Sequence, residues 1–182
     1  LHPPDSMVFA STDVKNAFGN ASRTLVINSV CKYLPAFAHI ILPLWGSCPI
    51  TLHMPVGYME YESFEVVDGM FQGECLSTAF FCFLLKDAIN DFRSKVKAVP
   101  HLASVKIHVL AYVDDAVVVC PKEHFPEVWK LWVGSLSLFK LPVVQDKCCT
   151  WVPGAVSIDS KIDSLAKQSL AGLPVLGSAA QG

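Results

Sequence analysis

The spacing of apolar residues changes along this chain, and each change marks an element. Ser6 to Val14 is a short apolar run that reads as a buried strand with Asp13 near its end. Arg23 to Leu34 moves to helical spacing, with Leu25, Val26, Val30 and Leu34 on one side. Pro35 interrupts that pattern, and a second helical segment runs on to Trp45. Thr51 to Met54 and Tyr61 to Val67 favour strands, placed around a Pro55-Val56-Gly57 turn. Leu76 to Val96 predicts a long helix, apolar at first and amphipathic from Lys86. Val105 to Val113 and Ala116 to Cys120 are apolar strands flanking Asp114-Asp115. Glu123 to Leu138 reads as another helix, Leu141 to Val152 as strand-like, and the Ser-, Ala- and Gly-rich tail beyond Pro153 as low in information. No internal repeat and no domain linker interrupts the series. The order suits an α+β layer, an antiparallel sheet with helices on one face.

Composition sharpens this picture. The 182 residues suffice for one sizeable core, so a single domain is expected. Hydrophobic residues make up 52% and charged residues only 16%, against about 25% charged in ordinary soluble domains. A spanning helix needs roughly 20 apolar residues in a row, and the best stretch, Tyr33 to Trp45, is short and broken by Pro35 and Pro43. No membrane partner is therefore expected. The apolar excess, and an opening of Leu-His-Pro-Pro, instead fit a piece of something larger whose other parts cover its apolar faces. The net charge of -2 shows no basic coat for nucleic acid. Seven cysteines without a C-x-x-C pair read as small hydrophobes in a reducing compartment. Six histidines lack metal-ligand spacing. Phe80, Phe81, Phe83, Trp129 and Trp132 read as core, and Arg23 as a solvated helix residue.

The chemistry centres on carboxylates. Asp114 and Asp115 sit between two runs of strand-forming residues, and burying an unpaired carboxylate is costly. A hairpin with both carboxylates at its tip resolves this, since Asp tolerates left-handed turn positions. An ordinary exposed turn is the plain alternative; for Asp13 it is a cap or turn residue. Gly69 to Ser77 forms a glycine-containing loop ahead of the long helix, where Gly73 allows close backbone approach and Gln72 offers both donor and acceptor. Carboxylates at two neighbouring strand ends can share divalent cations and run phosphoryl transfer.

Five segments in order carry a resemblance. Tyr112-Val113-Asp114-Asp115 resembles the Tyr-x-Asp-Asp box of reverse transcriptases, motif C. Asp13-Val14-Lys15-Asn16-Ala17-Phe18 resembles motif A, and Gln72-Gly73-Glu74-Cys75-Leu76-Ser77 motif B. Gln145-Asp146-Lys147-Cys148 resembles motif D, and Gly172 to Gly177 motif E, the primer grip. The Asn-Ala-Phe of motif A and the Leu-Gly of motif E are most similar to non-LTR retrotransposon enzymes. The resemblance implies a polymerase palm with a ferredoxin-like core and part of the fingers over residues 1–182, without most of the fingers and the thumb. It implies RNA-directed DNA synthesis from dNTPs on a primed RNA or DNA template, inside the cell and in the nucleus.

It also implies roles. Asp13 and Asp114, with the Val14 carbonyl, would hold two Mg²⁺ ions, for which Mn²⁺ could substitute, and Asp115 would support them. Phe18 would gate the sugar, with the amides of Asn16 and Ala17 on the triphosphate. Gln72, Gly73 and Tyr112 would line the substrate pocket. Lys147 would protonate pyrophosphate, and Leu176 and Gly177 would lie at the primer end. Gly19, Glu74, Cys75, Thr78 and the closing Ala180-Gln181-Gly182 depart from the family's pattern. A decayed, non-catalytic palm that serves only as a folded or interaction module is the alternative. A nucleotide cyclase would carry a Gly-Gly-Asp/Glu tip, which Val113-Asp114-Asp115 is not.

Overall fold

The computed structural model describes residues 6–46, 50–58, 60–71 and 73–173. In chain order its elements are β1 (Met7–Thr12), α1 (Ala17–Asn20), α2 (Arg23–Tyr33), α3 (Ala38–Trp45), β2 (Ile50–Gly57), β3 (Glu60–Val66) and α4 (Ser77–Ala98). There follow β4 (His108–Tyr112), β5 (Asp115–Pro121), α5 (Phe125–Leu138), β6 (Cys149–Trp151), α6 (Ser160–Asp163) and β7 (Lys167–Ser169). Two compact units divide them, Leu1–Lys15 with Leu85–Gly182, and Asn16–Leu84.

The first unit is built on a five-stranded sheet in the order β4-β5-β1-β6-β7. All its neighbours pair antiparallel except β6 and β7. Taken with α4 and α5, strands β1, β4, β5 and β6 follow the β-α-β-β-α-β order of a ferredoxin-like core. The expected α+β class, with a mostly antiparallel sheet, is what forms.

Strand periodicity explains which face the helices cover. Val8, Ala10 and Thr12 alternate inward along β1 and pair with Cys120, Val118 and Ala116 of β5, so these six side chains share one face. All six are buried. Trp132 of α5 donates its indole N–H to Thr12 Oγ1 at 2.8 Å. Phe92 of α4 meets Trp132 edge-on, with ring centroids 5.4 Å apart. The opposite face carries Phe9, Ser11, Val117 and Val119, and on the edge strand Leu110 and Tyr112 are 61% and 69% exposed.

In the second unit, α2 buries Val26 and Val30, α3 buries Ile41 and Trp45, and Phe80, Phe81 and Leu84 of α4 complete the core. Trp45 packs edge-on against Phe80 at 5.3 Å, and Tyr33 stacks on Phe83 at 5.5 Å. Strands β2 and β3 pair only with each other. Among the described residues no helix is long and apolar enough to cross a membrane.

Several boundaries differ from the sequence reading. The turn expected at Pro55-Val56-Gly57 lies inside β2, which runs on to Gly57 with an irregular register past Pro55. Leu141 to Val152 is not one strand. Val143 makes a single bridge to Val14, Gln145–Lys147 is a 3₁₀ turn, and β6 begins only at Cys149. Pro142 has no N–H to donate, which helps to break the ladder. The uninformative tail contains α6 and β7. Of the six described cysteines only Cys120 and Cys148 are buried, while Cys75 and Cys82 are exposed.

Candidate active site

The carboxylates meet where β1 ends and the β4–β5 hairpin turns. Thr12 pairs with Ala116 and Tyr112 with Asp115. One further step of the antiparallel register sets Asp13 opposite Asp115, on the face away from α5. The hairpin tip differs from expectation. Val113 and Asp114 form the two-residue turn, and Asp115 is already the first residue of β5. The left-handed position is taken by Val113 at φ 55, not by an aspartate. A β-branched residue there is strained, and such strain persists only where the surroundings impose it.

The neighbouring carboxylates act on Asp115. Burial, then the negative charges of Asp114 and Asp13, lift the Asp115 carboxyl above its ordinary value. Lys147 is the nearby counter-charge, its Nζ 3.8 Å from Asp13 Oδ2 with both side chains well exposed. The 3₁₀ turn of Gln145–Lys147 presents it, and that turn is tied to β1 because Val144 donates its N–H to the Asp13 carbonyl at 2.9 Å. Behind it Cys148 is buried and donates its thiol to the Val144 carbonyl at 3.3 Å. Burial pushes that thiol's pKa up, while a hydrogen bond with the Asp13 backbone pulls it down. Cys148 is therefore packing, as its apolar setting suggests.

Among the described residues no group of three or more His, Cys, Asp or Glu side chains could by itself hold a metal ion. Asp13, Asp114 and Asp115 offer carboxylate oxygens, the kind of donor that hard cations take. Mg²⁺ takes oxygen ligands and is commonly held by one or two carboxylates plus phosphates. The like-charge crowding at Asp115 is an electrostatic deficit that such a cation would relieve.

The second unit holds Asn16, Ala17 and Phe18. Asn16 takes a left-handed conformation at φ 44 and opens the short helix α1, whose Ala17 is buried. The Phe18 ring stacks on Phe81, centroids 5.1 Å apart at 30°. Any side chain at Gly19 would press on the Asn16 amide, so this departure from the motif goes with the Asn16 conformation. Gly73 has open space beside it and a left-handed backbone. A Cβ there would meet nothing within 4 Å, and what glycine supplies is its φ of +94. Glu74 accepts a hydrogen bond from the buried Ser77 hydroxyl at 2.9 Å, at the start of α4. Gln72, Leu176 and Gly177 lie outside the described residues.

Arg23 is the residue that sequence reasoning misread. It is 4% exposed, not solvated. Its guanidinium donates to the carbonyls of Gly69 and Val66. A signal was present, since a cation in the first turn of a helix opposes the helix dipole and needs a reason to be there.

No family model matches the chain, and no curated protein does. Solved structures do. Apo telomerase from Candida tropicalis, truncated from its C-terminal domain, matches with TM-score 0.65 at 16% identity, over 84% of this chain and 32% of that one. The same species' telomerase with a TWJ fragment of telomeric RNA gives 0.63 at 17% identity, over 83% and 26%. The Candida albicans telomerase with that fragment gives 0.53 at 11% identity, over 85% and 28%. The chain thus spans between a quarter and a third of these telomerases. At such identities the likeness is one of fold: a palm-like α+β fold, mostly antiparallel with helices packed on its sheet.

Proposed function

We propose that this chain is the palm of an RNA-directed DNA polymerase of the non-LTR retrotransposon kind. It would work in the nucleus within a longer polypeptide whose fingers and thumb complete residues 1–182. The observation that carries the reading is the meeting of Asp13, Asp114 and Asp115 at adjoining strand ends beside Lys147. The retrotransposon assignment rests on the Asn16-Ala17-Phe18 and Leu176-Gly177 segments. Asp13 and Asp114 would hold two Mg²⁺ or Mn²⁺ ions, with the Val14 carbonyl and Asp115 in support. When bound, the ions would activate the primer 3′-hydroxyl and stabilise charge on the departing pyrophosphate.

The chain's own residues do the remaining work. Lys147 gives a proton to pyrophosphate as general acid; its loose, exposed contact with Asp13 leaves it free to move. Phe18 bars a 2′-hydroxyl, and the amides of Asn16 and Ala17 meet the triphosphate. Gln72, Gly73 and Tyr112 contact the dNTP or the RNA or DNA template, and Leu176 and Gly177 hold the primer end.

The test is primer extension with Mg²⁺ by a polypeptide that joins this chain to fingers and thumb. Asp114→Asn should reduce the rate by several kcal/mol of barrier, on the order of a thousandfold. Extension that survives in Asp13→Asn and Asp114→Asn would place the chemistry elsewhere. No extension by the unmodified polypeptide would favour the decayed palm.

A further inference from the structure

Arg23 is the first residue of α2 and is almost completely buried. A buried guanidinium is costly unless its donors are bonded, and here they turn back onto one segment. Nε and Nη2 donate to the Gly69 carbonyl at 3.4 and 3.3 Å, and Nη1 donates to the Val66 carbonyl at 3.4 Å. Each bond is long, but a planar fork satisfies all three from one placement. The backbone N–H of Arg23 donates to Asp68 Oδ1, which also accepts from the Gly69 N–H at 3.1 Å. Asp68 thereby caps the N-terminus of α2, where a negative charge is favoured.

The same segment is fastened to Phe18. Met70 donates its N–H to the Phe18 carbonyl at 2.8 Å. Gly69 sits at φ +86, and a Cβ there would meet the Gly19 carbonyl oxygen at 2.5 Å. Residues 66–70 are therefore stitched to residues 18–23 at several points, and the chain leaves that seam directly into Phe71 and residues 72 and 73. Phe18 leaves the seam with its ring stacked on Phe81.

We propose that Arg23 is a positioning residue for nucleotide selection: its fork sets the Phe18 backbone and the loop leading to Gln72 and Gly73 in one fixed relation. The inference rests on the polymerase reading and deepens it. Among the described residues, the Arg23 guanidinium bonds all fall on Val66 and Gly69. Its loss should alter which sugar is accepted more than how fast the phosphoryl group moves. Lysine keeps the charge but lacks the planar fork that reaches both carbonyls from one placement, so Arg23→Lys should fall between the native residue and Arg23→Met.

Two measurements test this. In the chain itself, hydrogen exchange at the Met70 amide should speed up in Arg23→Met and less so in Arg23→Lys. Unchanged exchange in both would overturn the clamp, whatever the enzyme does. In the polypeptide with fingers and thumb, Arg23→Lys should lower the preference for dNTP over rNTP by roughly five- to tenfold, raising KM for dNTP and leaving kcat within about twofold. An unchanged preference, or kcat falling with no change in selection, would overturn the positioning role. If the unmodified polypeptide extends no primer, the polymerase reading fails and nucleotide selection fails with it, while exchange at Met70 still decides whether Arg23 clamps the loop.

Discussion

Lys147 Nζ lies 3.8 Å from Asp13 Oδ2, although the two residues come from opposite ends of the sequence. Both are exposed, and an ion pair of this kind contributes only about 0–1 kcal/mol to stability. The contact therefore adds little to folding. Lys147→Ala should leave the melting temperature nearly unchanged. In single-turnover primer extension it should slow the chemical step by roughly a hundredfold, the low end for general acid catalysis. A large loss of stability with normal turnover would assign Lys147 to the fold instead.

Asp115 gives a pH-dependent prediction. Its folded-state pKa is raised by burial and by the charges of Asp114 and Asp13. A raised carboxyl means that the folded state binds more protons than the unfolded state just above the ordinary Asp range. Stability must fall as pH rises through that window. Asp115→Asn should thus raise the melting temperature at pH 7, and the gain should vanish below the ordinary Asp pKa. Mg²⁺ should stabilise the unmodified chain more than the variant. A variant less stable than the native chain at pH 7 would show that Asp115 makes a favourable contact that outweighs the crowding.

Much of this site was legible because its residues sit in contiguous motifs. Asp13 follows an alternating strand, and Asp114-Asp115 divides two apolar ones, so period-2 patterning placed both at strand ends. The turn geometry was not legible. Propensity favours aspartate at a left-handed position, yet Val113 takes it, because the register fixing Asp115 opposite Tyr112 overrides local preference. Arg23 was misread for a related reason. Its partners are carbonyls of Val66 and Gly69, and backbone acceptors leave no mark in side-chain patterns. Strand β7 is three residues long and pairs parallel with β6, too short to show a period.

The cysteines should separate by reactivity. Burial pushes the Cys120 thiol up to about 12, and Cys148 is also buried and raised, whereas Cys75 and Cys82 are exposed. The thiolate is the reactive form, so a buried, high-pKa thiol is inert. Iodoacetamide at pH 8 followed by peptide mass spectrometry should label Cys75 and Cys82 first, and Cys120 and Cys148 only after unfolding. Early labelling of Cys120 would mean that the buried face of β5 opens to solvent.

Phe18 should select the sugar by bulk. Its ring is backed by Phe81, which limits how far it can retreat from a 2′-hydroxyl. Phe18→Val, in the polypeptide with fingers and thumb, should raise ribonucleotide incorporation relative to deoxynucleotide by more than about tenfold, since a steric clash rather than a lost bond is being removed. An unchanged ratio would place the gate on another residue.

The 182-residue chain alone should not extend a primer. Affinity for nucleic acid comes largely from Lys and Arg neutralising phosphates, and here 14 basic residues face 16 acidic ones. The imbalance is local as well. From Tyr33 to Leu85 the sequence holds Glu60, Glu62, Glu65, Asp68 and Glu74 and neither Lys nor Arg. A duplex approaching this stretch would meet repulsion, so its grip must come from other segments, which the polymerase reading assigns to fingers and thumb. Exposed apolar residues such as Leu110, Phe64 and Met54 fit the same reading, since contact surface left bare is apolar. Binding of a labelled primer-template by the chain should be weak, with only a shallow fall between low and physiological salt, since few phosphates are neutralised. Joining the chain to fingers and thumb should give extension with Mg²⁺. Robust extension by the chain alone would show that its own surface supplies the binding energy.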